Sequence, residues 1–295
     1  MTAVPSAPTG LVVVDKEPGW TSHDVVARVR STFGQRRVGH AGTLDPDATG
    51  VLLVGLGRVT RLLRFLTGLP KQYTAEVVLG TATDTLDASG AVVGEWDMGA
   101  VTLDRARAAA AGLTGRIEQI PPMVSAVKIG GRRLHQLARQ GVEVDRPARQ
   151  VQVDRFELDE GTEPGVLRAT VECSSGTYVR SLVADLGTAL GGGAHVRALR
   201  RTSIGSFTVA EATRVGELEP SSLRSPAEAL RDLQRVTLDP ETVALVALGR
   251  PLDRVPLGAT GRGPWALCDP TGRLVAVYEA TSTDLVRPAV VLASR

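Results

Sequence analysis

Two aspartates, Asp45 and Asp47, stand two residues apart in the stretch Val38-Gly39-His40-Ala41-Gly42-Thr43-Leu44-Asp45-Pro46-Asp47-Ala48-Thr49-Gly50. A carboxylate can serve as a nucleophile or a general base, provided that it stays ionised and is held still. Glycines, a proline and threonines surround the pair, which is turn chemistry and predicts neither helix nor strand across these residues. The apolar run Val51-Leu52-Leu53-Val54 follows directly and reads as a buried strand that anchors the loop. An acidic loop on a rigid strand is a common setting for catalysis. Taken alone, the stretch fits a solvated Asp/Gly turn equally well. Two further acids, Asp84 and Asp87, lie in a polar loop after Gly80.

Other chemistries lack their residues. The four histidines, His23, His40, His135 and His195, show no metal-ligand spacing such as His-x-x-x-His. Gly-x-Ser-x-Gly is absent, as are Gly-x-Gly-x-x-Gly and the Walker loop. Asp45-x-Asp47-x-Thr49, with Asp84 and Asp87, is compatible with a magnesium-dependent aspartyl phosphotransferase similar to the haloacid-dehalogenase superfamily. That pattern needs an apolar strand running straight into the first aspartate, and Arg36-Arg37-Val38-Gly39-His40-Ala41-Gly42 does not supply one.

The elements that must position these groups are legible in order. Leu11-Val12-Val13-Val14 predicts a short buried strand, and Thr21-x-x-Asp24 a capping box that opens a helix. That helix carries Val25, Val26, Val29 and Phe33 on one face and is closed by Gly34. A short helix is expected at Leu62–Leu66, a strand at Lys71–Leu79 and an Ala-rich helix over 102–112. Residues 120–149, with Pro121-Pro122 and Gly130-Gly131, read as an insertion that closes over a ligand and holds one short helix around Leu134, Leu137 and Ala138. Alternating stretches from Val151 and from Leu167 predict antiparallel strands exposed on one face. A helix then runs to Gly191, with Tyr178 and Arg180 in its first turn. Arginine suits the other end of a helix dipole, so the place of Arg180 points to a partner. Val196–Arg201 predicts a strand with basic edges, and Ser225-Pro226-x-Glu228 a strong helix start. After about residue 236 the pattern shifts to short strands.

At 295 residues, with 43% hydrophobic and 22% charged residues, the chain has room for one large domain and a smaller companion. The net charge of only +2 is no argument for a polyanionic partner. The arginines, however, cluster: Arg28, Arg30, Arg36 and Arg37; Arg58, Arg61 and Arg64; Arg132, Arg133 and Arg139; Arg197, Arg200 and Arg201. Their planar forks match phosphates, which suggests nucleic acid, although each cluster taken alone also fits a solvated face. Cys173 and Cys268 have no Cys-x-x-Cys spacing, and the start MTAVPSAPTG is unlike a signal peptide. With no apolar run of membrane-spanning length, the expectation is a cytoplasmic protein without membrane association.

Six ordered motifs carry a resemblance. Gly39-His40-Ala41-Gly42-Thr43-Leu44-Asp45-Pro46-x-Ala48-Thr49-Gly50 resembles the catalytic loop of the TruB family of tRNA pseudouridine synthases. Asp15-Lys16-x-Pro18-x-x-Thr21-Ser22 is similar to the family's amino-terminal motif. Lys71-x-Tyr73-x-Ala75 with Thr83-Asp84-Thr85-x-Asp87 is similar to its tyrosine motif. Pro121-Pro122-Met123-x-Ser125-Ala126-Val127-Lys128 resembles the start of its RNA-gripping insertion. Ser175-Gly176-Thr177-Tyr178-Val179-Arg180 and Gly193-Ala194-His195-Val196-x-x-Leu199-Arg200-Arg201 match its last two motifs.

The resemblance implies isomerisation of one uridine in the T-loop of tRNA, at tRNA position 55: the C1′–N1 bond breaks, the uracil turns, and C5 bonds to C1′. It implies no cofactor and no metal, the tRNA T-arm as partner, no protein partner, and a monomer. Asp45 is the implied catalytic carboxylate, kept charged by Arg180. Tyr73 stacks on the extruded base, Tyr178 and Leu199 wall its pocket, and His40 contacts the RNA as it opens. The implied fold is α/β (α+β), with a mixed, largely antiparallel catalytic sheet flanked by helices over residues 1–235. Residues 236–295 form a small β-rich PUA-like domain, and the insertion at about 120–149 clamps the T-arm. Asp47 departs from the family, which often has an apolar residue there; beside Asp45 it raises the pKa of that carboxyl unless it points to solvent. A non-catalytic tRNA-binding chaperone is the other reading that the motifs allow.

Overall fold

The apolar run at Leu11 lies within strand β1 (Gly10–Lys16) of the computed structural model, which describes residues 7–125, 128–129, 132–133, 140, 142, 144–281 and 284–292. Helix α1 (Ser22–Phe33) starts where the capping box predicts: Thr21 receives the amide of Asp24, and the Asp24 carboxylate receives the amide of Thr21. Gly34 closes it in the left-handed region, at φ 59°. Strand β2 (Val38–Ala41) leads into a loop over residues 42–48, and strand β3 (Thr49–Leu56) leads out. The turn-rich stretch is therefore shorter than expected. Val38 to Ala41 pair with Leu56 to Leu53, so the neighbouring strand overrides local turn propensity.

Helix α2 (Leu63–Thr67) precedes strand β4 (Lys71–Leu79). Helix α3 (Leu103–Gly112) and strands β5 (Gly115–Gln119), β6 (Arg149–Glu160) and β7 (Val166–Cys173) follow. Helix α4 (Val179–Ala189) and strand β8 (Ala194–Ile204) come next, then short strands β9 (Phe207–Thr208) and β10 (Thr213–Arg214). These ten strands form one sheet, ordered β10-β1-β3-β8-β4-β7-β6-β5, with β2 also on β3 and β9 on β8. Pairing is antiparallel except for β1 with β10 and β3 with β8. The mixed, largely antiparallel sheet is thus as the sequence predicts. The β3–β8 seam is only two residues long, Thr49 opposite Arg200 and Gly50 opposite Arg201.

The alternation of β1 and β3 sorts their side chains onto two faces. Val12, Val14, Leu52 and Val54 pack against Val25, Val26, Val29 and Phe33 of α1. Leu11, Val13, Val51 and Leu53 face the other way, into a cluster with Ala266, Cys268, Leu274 and Val277 of the carboxyl-terminal sheet. Farther along, α4 buries Val179, Leu182, Val183 and Leu186 against Tyr73, Ala75, Val77, Ala169 and Val171. Each such fully buried aliphatic chain contributes about 1.5–3 kcal/mol relative to exposure.

The second sheet has strands β11 (Gln234–Thr237), β12 (Leu252–Asp253), β13 (Trp265–Cys268), β14 (Leu274–Ala280) and β15 (Leu285–Val291), in the order β11-β13-β14-β15-β12. Helix α5 (Pro240–Ala247) packs on it, a helix where only strands were expected. Its start is a capped one, with Asp239 receiving the amide of Thr242 and proline at the first position. The start expected at Ser225 yields only a 3-10 turn, Glu228–Leu230. Arg231 and Asp232 are drawn to Ser206, which pulls the chain out of a helical path. A hairpin of Thr81–Thr83 with Val92–Glu95 also went unexpected within the polar loop. The short helix expected around Leu134 lies outside the described residues. Among the described residues no helix is long and apolar enough to cross a membrane.

Candidate active site

The acidic loop is fixed from three sides. Ser22, at the start of α1, exchanges hydrogen bonds with both backbone groups of Leu44: its hydroxyl donates to the carbonyl at 3.1 Å and accepts from the amide at 3.0 Å. Lys16, fully buried at the end of β1, donates from Nζ to the carbonyl of Pro46 at 2.7 Å, as well as to those of Trp20 and Glu17. Arg201, 1% exposed, reaches across the seam from β8 to the carbonyls of Val51, Gly42 and Thr43. Gly50 permits that seam. Its φ is 101°, and a Cβ there would stand 2.1 Å from the carbonyl oxygen of Arg201.

Held in this way, Asp45 meets Arg180. One carboxylate oxygen lies 3.0 Å from Arg180 Nη2. Arg180 Nη1 pairs with Asp87 at 3.1 Å and donates to the carbonyl of Thr85, while Nη2 also donates to the carbonyl of Val124. The guanidinium is 5% exposed and thoroughly engaged, so its fork has one orientation. Asp87 is equally tied, since its other oxygen receives the hydroxyls of Thr85 and Ser89 and the amide of Ser89. The start of α4 that presents Arg180 is clamped by Gln119. Its side chain receives the amide of Tyr178 at 2.7 Å and donates to the Tyr178 carbonyl at 3.0 Å.

Asp45, Tyr73, Tyr178, Arg180 and Leu199 line one pocket of about 250 Å³, just below the ~300–1,000 Å³ of drug-sized sites. Five of the six residues picked from sequence therefore converge, from positions far apart in the chain. His40 does not line that pocket. It sits on β2 with its ring edge-on to His23, 5.6 Å between centroids, and its Nδ1 is buried without a hydrogen-bond partner. A second cleft of about 430 Å³ shares Asp45, Arg180 and Leu199 with the first and is bounded by Asp47, Asp87, Ser89 and Arg197. Those three shared residues form the partition between the two.

The electrostatics follow from enclosure. Asp45 keeps 41% of its side chain open, into these clefts, yet burial still raises its pKa above the ordinary carboxylate value. Arg180 and Lys16 oppose that rise, and Asp87 adds to it. Asp47 is exposed and is not among the groups acting on Asp45, so the second carboxylate expected to disturb it is Asp87 instead. Burial lowers Lys16 to about 8 and Lys71 to about 8. It raises the phenol of Tyr73 and depresses His40, which His23 and Arg201 lower further.

The chain matches a family model described as TruB family pseudouridylate synthase (N terminal domain) over residues 30–179. A second, tRNA pseudouridylate synthase B C-terminal domain, matches over 180–245. The chain belongs to the TruB family. Relatives named tRNA pseudouridine synthase B include that of Rhodococcus jostii, 46% identical over 95% of this chain and 94% of its own length. The Arthrobacter relative is 44% identical over 97% of each chain. Among solved structures, a chain of an H/ACA RNP bound to a substrate RNA containing 2′-deoxyuridine covers 97% of this chain and 86% of its own, at TM-score 0.74 and 25% identity. A chain of a Cbf5-Nop10-Gar1 complex gives 0.72 and 28%, covering 97% of this chain and 84% of its own.

In this TruB-family chain the sequence reading missed four residues that build the site: Asp87, Lys16, Gln119 and Arg201. Asp87, Lys16 and Arg201 lie inside quoted motifs, so their signal was at hand. Gln119 has no sequence signal, because its role exists only once β5 meets the start of α4. The arginine clusters also read differently. Arg58 and Arg61 donate to the carbonyls of Leu292 and Val291, and Arg64 pairs with Glu279, all on or directly beside the second sheet. Arg197 pairs with Glu76 and Glu163, and Arg200 with Asp15. Arg139 and the side chains of Arg132 and Arg133 lie outside the described residues.

Proposed function

We propose that this protein converts a uridine in the T-loop of tRNA, at tRNA position 55, to pseudouridine. The observation that carries the reading is the Asp45–Arg180–Asp87 network on the wall of a base-sized pocket in a TruB-family chain. A uridine in a folded loop must be extruded, which forfeits stacking of about 1–3 kcal/mol that the face of Tyr73 replaces, with Tyr178 and Leu199 closing the pocket. His40, outside the pocket and on the loop's approach strand, contacts the RNA that the base has left.

Asp45 is the catalytic carboxylate. It either attacks C1′ or removes a sugar proton, and both roles require the ionised form. Burial works against that form and Arg180 restores it; Asp87 fixes the direction of Arg180. The C1′–N1 bond breaks, the freed base turns, C5 bonds to C1′, the C5 proton leaves and N1 is protonated. No redox equivalent is consumed and no water is added. Residues 1–235 serve as the catalytic domain, 120–149 as the clamp on the T-arm, and 236–295 as a PUA-like appendage for RNA. The named relatives support tRNA as substrate.

The test uses an unmodified tRNA transcript labelled with tritium at C5 of uridine. Wild type releases label, and Asp45→Ala binds tRNA without releasing it. Release that survives in Asp45→Ala, or its absence in wild type, refutes the assignment; a metal-dependent phosphotransferase would release no label, and EDTA would abolish its own activity.

A further inference from the structure

Within the pocket the charges are of two kinds. Arg180 faces two carboxylates, whereas Lys71 and Arg201 face none. Both are buried, 7% and 1% exposed, and both line the pocket. Lys71 Nζ donates to the carbonyls of Thr67 and Leu69, and Arg201 to those of Val51, Gly42 and Thr43. Among the described residues neither makes an ion pair.

The two converge at Gly42. A Cβ there would lie 3.6 Å from Lys71 Cε and 3.7 Å from Arg201 Nη1. The acidic groups nearest Lys71 and Arg201 offer no charge in return: burial holds the Cys173 thiol protonated, its pKa at about 11, and the Tyr73 phenol is raised as well. Two buried cations on one wall without a counter-charge are unfavourable until a ligand brings negative charge to them.

We infer that Lys71 is a further catalytic residue, whose ammonium, backed by Arg201, stabilises the anion formed on the base when C1′–N1 breaks. The inference rests on the reading of the pocket as a uridine site. When that bond breaks, its electron pair moves into the uracil ring, and the charge spreads from N1 to O2 and O4. Rebonding through C5 returns the pair to C1′, so Lys71 neither gains nor loses a proton. Its depth selects a base oxygen over a phosphate, because phosphates follow the exposed strand while the base enters the pocket. Charge that develops during reaction is what a preorganised cation stabilises best.

Single-turnover rates of C1′–N1 cleavage, read as loss of the original nucleoside, test this for wild type, Lys71→Met, Lys71→Gln and Lys71→Arg on tRNA carrying either uridine or 5-fluorouridine at the target. Fluorine at C5 makes the uracil anion more stable, so a better leaving group needs the cation less. Lys71→Met and Lys71→Gln should slow uridine conversion about a hundredfold, with tRNA affinity within about twofold of wild type. Lys71→Arg should recover part of the rate, and the neutral variants should lose about tenfold less on 5-fluorouridine. Equal losses on both substrates, a loss confined to tRNA affinity, or no loss at all overturns the inference. A wild type that converts no uridine removes instead the reading on which it rests, and that result is in hand before any variant is compared.

Discussion

Two sets of arginines have opposite employment in this molecule. Arg58, Arg61 and Arg64 stand at the join between the sheets, donating to the carbonyls of Leu292 and Val291 and to the half-exposed Glu279. Arg180 and Arg201 stand at the pocket, buried, with their described partners in the acidic loop, the polar loop of Asp87 and the segments beside them. The first set holds two surfaces together, and the second holds the lining of the pocket in place. Clustering along the chain therefore says that charge is concentrated, and only burial and partner chemistry say what the charge does.

That contrast can be broken experimentally, and the largest effect is expected at Arg180. Arg180→Met leaves Asp45 and Asp87 facing each other and should reduce turnover by about a thousandfold. It should also destabilise the fold by about 3–5 kcal/mol in urea titration, as expected when one partner of a buried pair is removed. Arg180→Lys should recover little turnover, since one ammonium cannot reproduce the fork. Gly50→Ala comes next. Its new methyl meets the Arg201 carbonyl, so a loss of about 2–4 kcal/mol is expected, with activity falling in parallel.

The joining set should behave otherwise. Arg58→Ala with Arg61→Ala should lower stability by about 1–3 kcal/mol while leaving the rate constant for tritium release unchanged. A drop in that rate constant would erase the distinction between the two sets. Arg64→Ala, whose ion pair is 53% and 41% exposed, should change stability by no more than about 0.5 kcal/mol.

A pH series sharpens the comparison last. Lys16 and Lys71 have folded-state values of about 8, below the ordinary lysine value of 10.5. Between those limits the unfolded chain binds more protons, so their contribution to stability rises with pH through that window. Lys71→Met should flatten part of that rise in melts taken at stepped pH, and an unchanged slope would count against its burial.

Local signals were read well where the chain itself supplies the partner. Thr21 and Asp24 cap α1 because both halves of the motif lie within three residues. The alternation of Val151 to Leu158 and of Leu167 to Cys173 gave their strands, since one face of each meets the core. The candidate site was legible mainly through resemblance, and five of the six residues named from it line one pocket. What escaped was set by distant contacts. Strand β2 forms because β3 lies beside it, Gln119 acts because Tyr178 arrives there, and Arg58 turns toward Leu292 because a second sheet is within reach.

The seam at Gly50 and Arg201 bears on how the molecule becomes competent. Arg201 Nε meets the carbonyl of Val51 across 150 positions of chain, and Arg180 meets Asp45 across most of the same span. Contacts of such long sequence separation are slow to form compared with helices, which need only neighbours. Helical circular dichroism should thus recover first after dilution from denaturant, and tritium release only after the seam has closed. Activity in this protein is a late reporter of folding, and a chain arrested before β8 docks would look largely structured while remaining chemically silent.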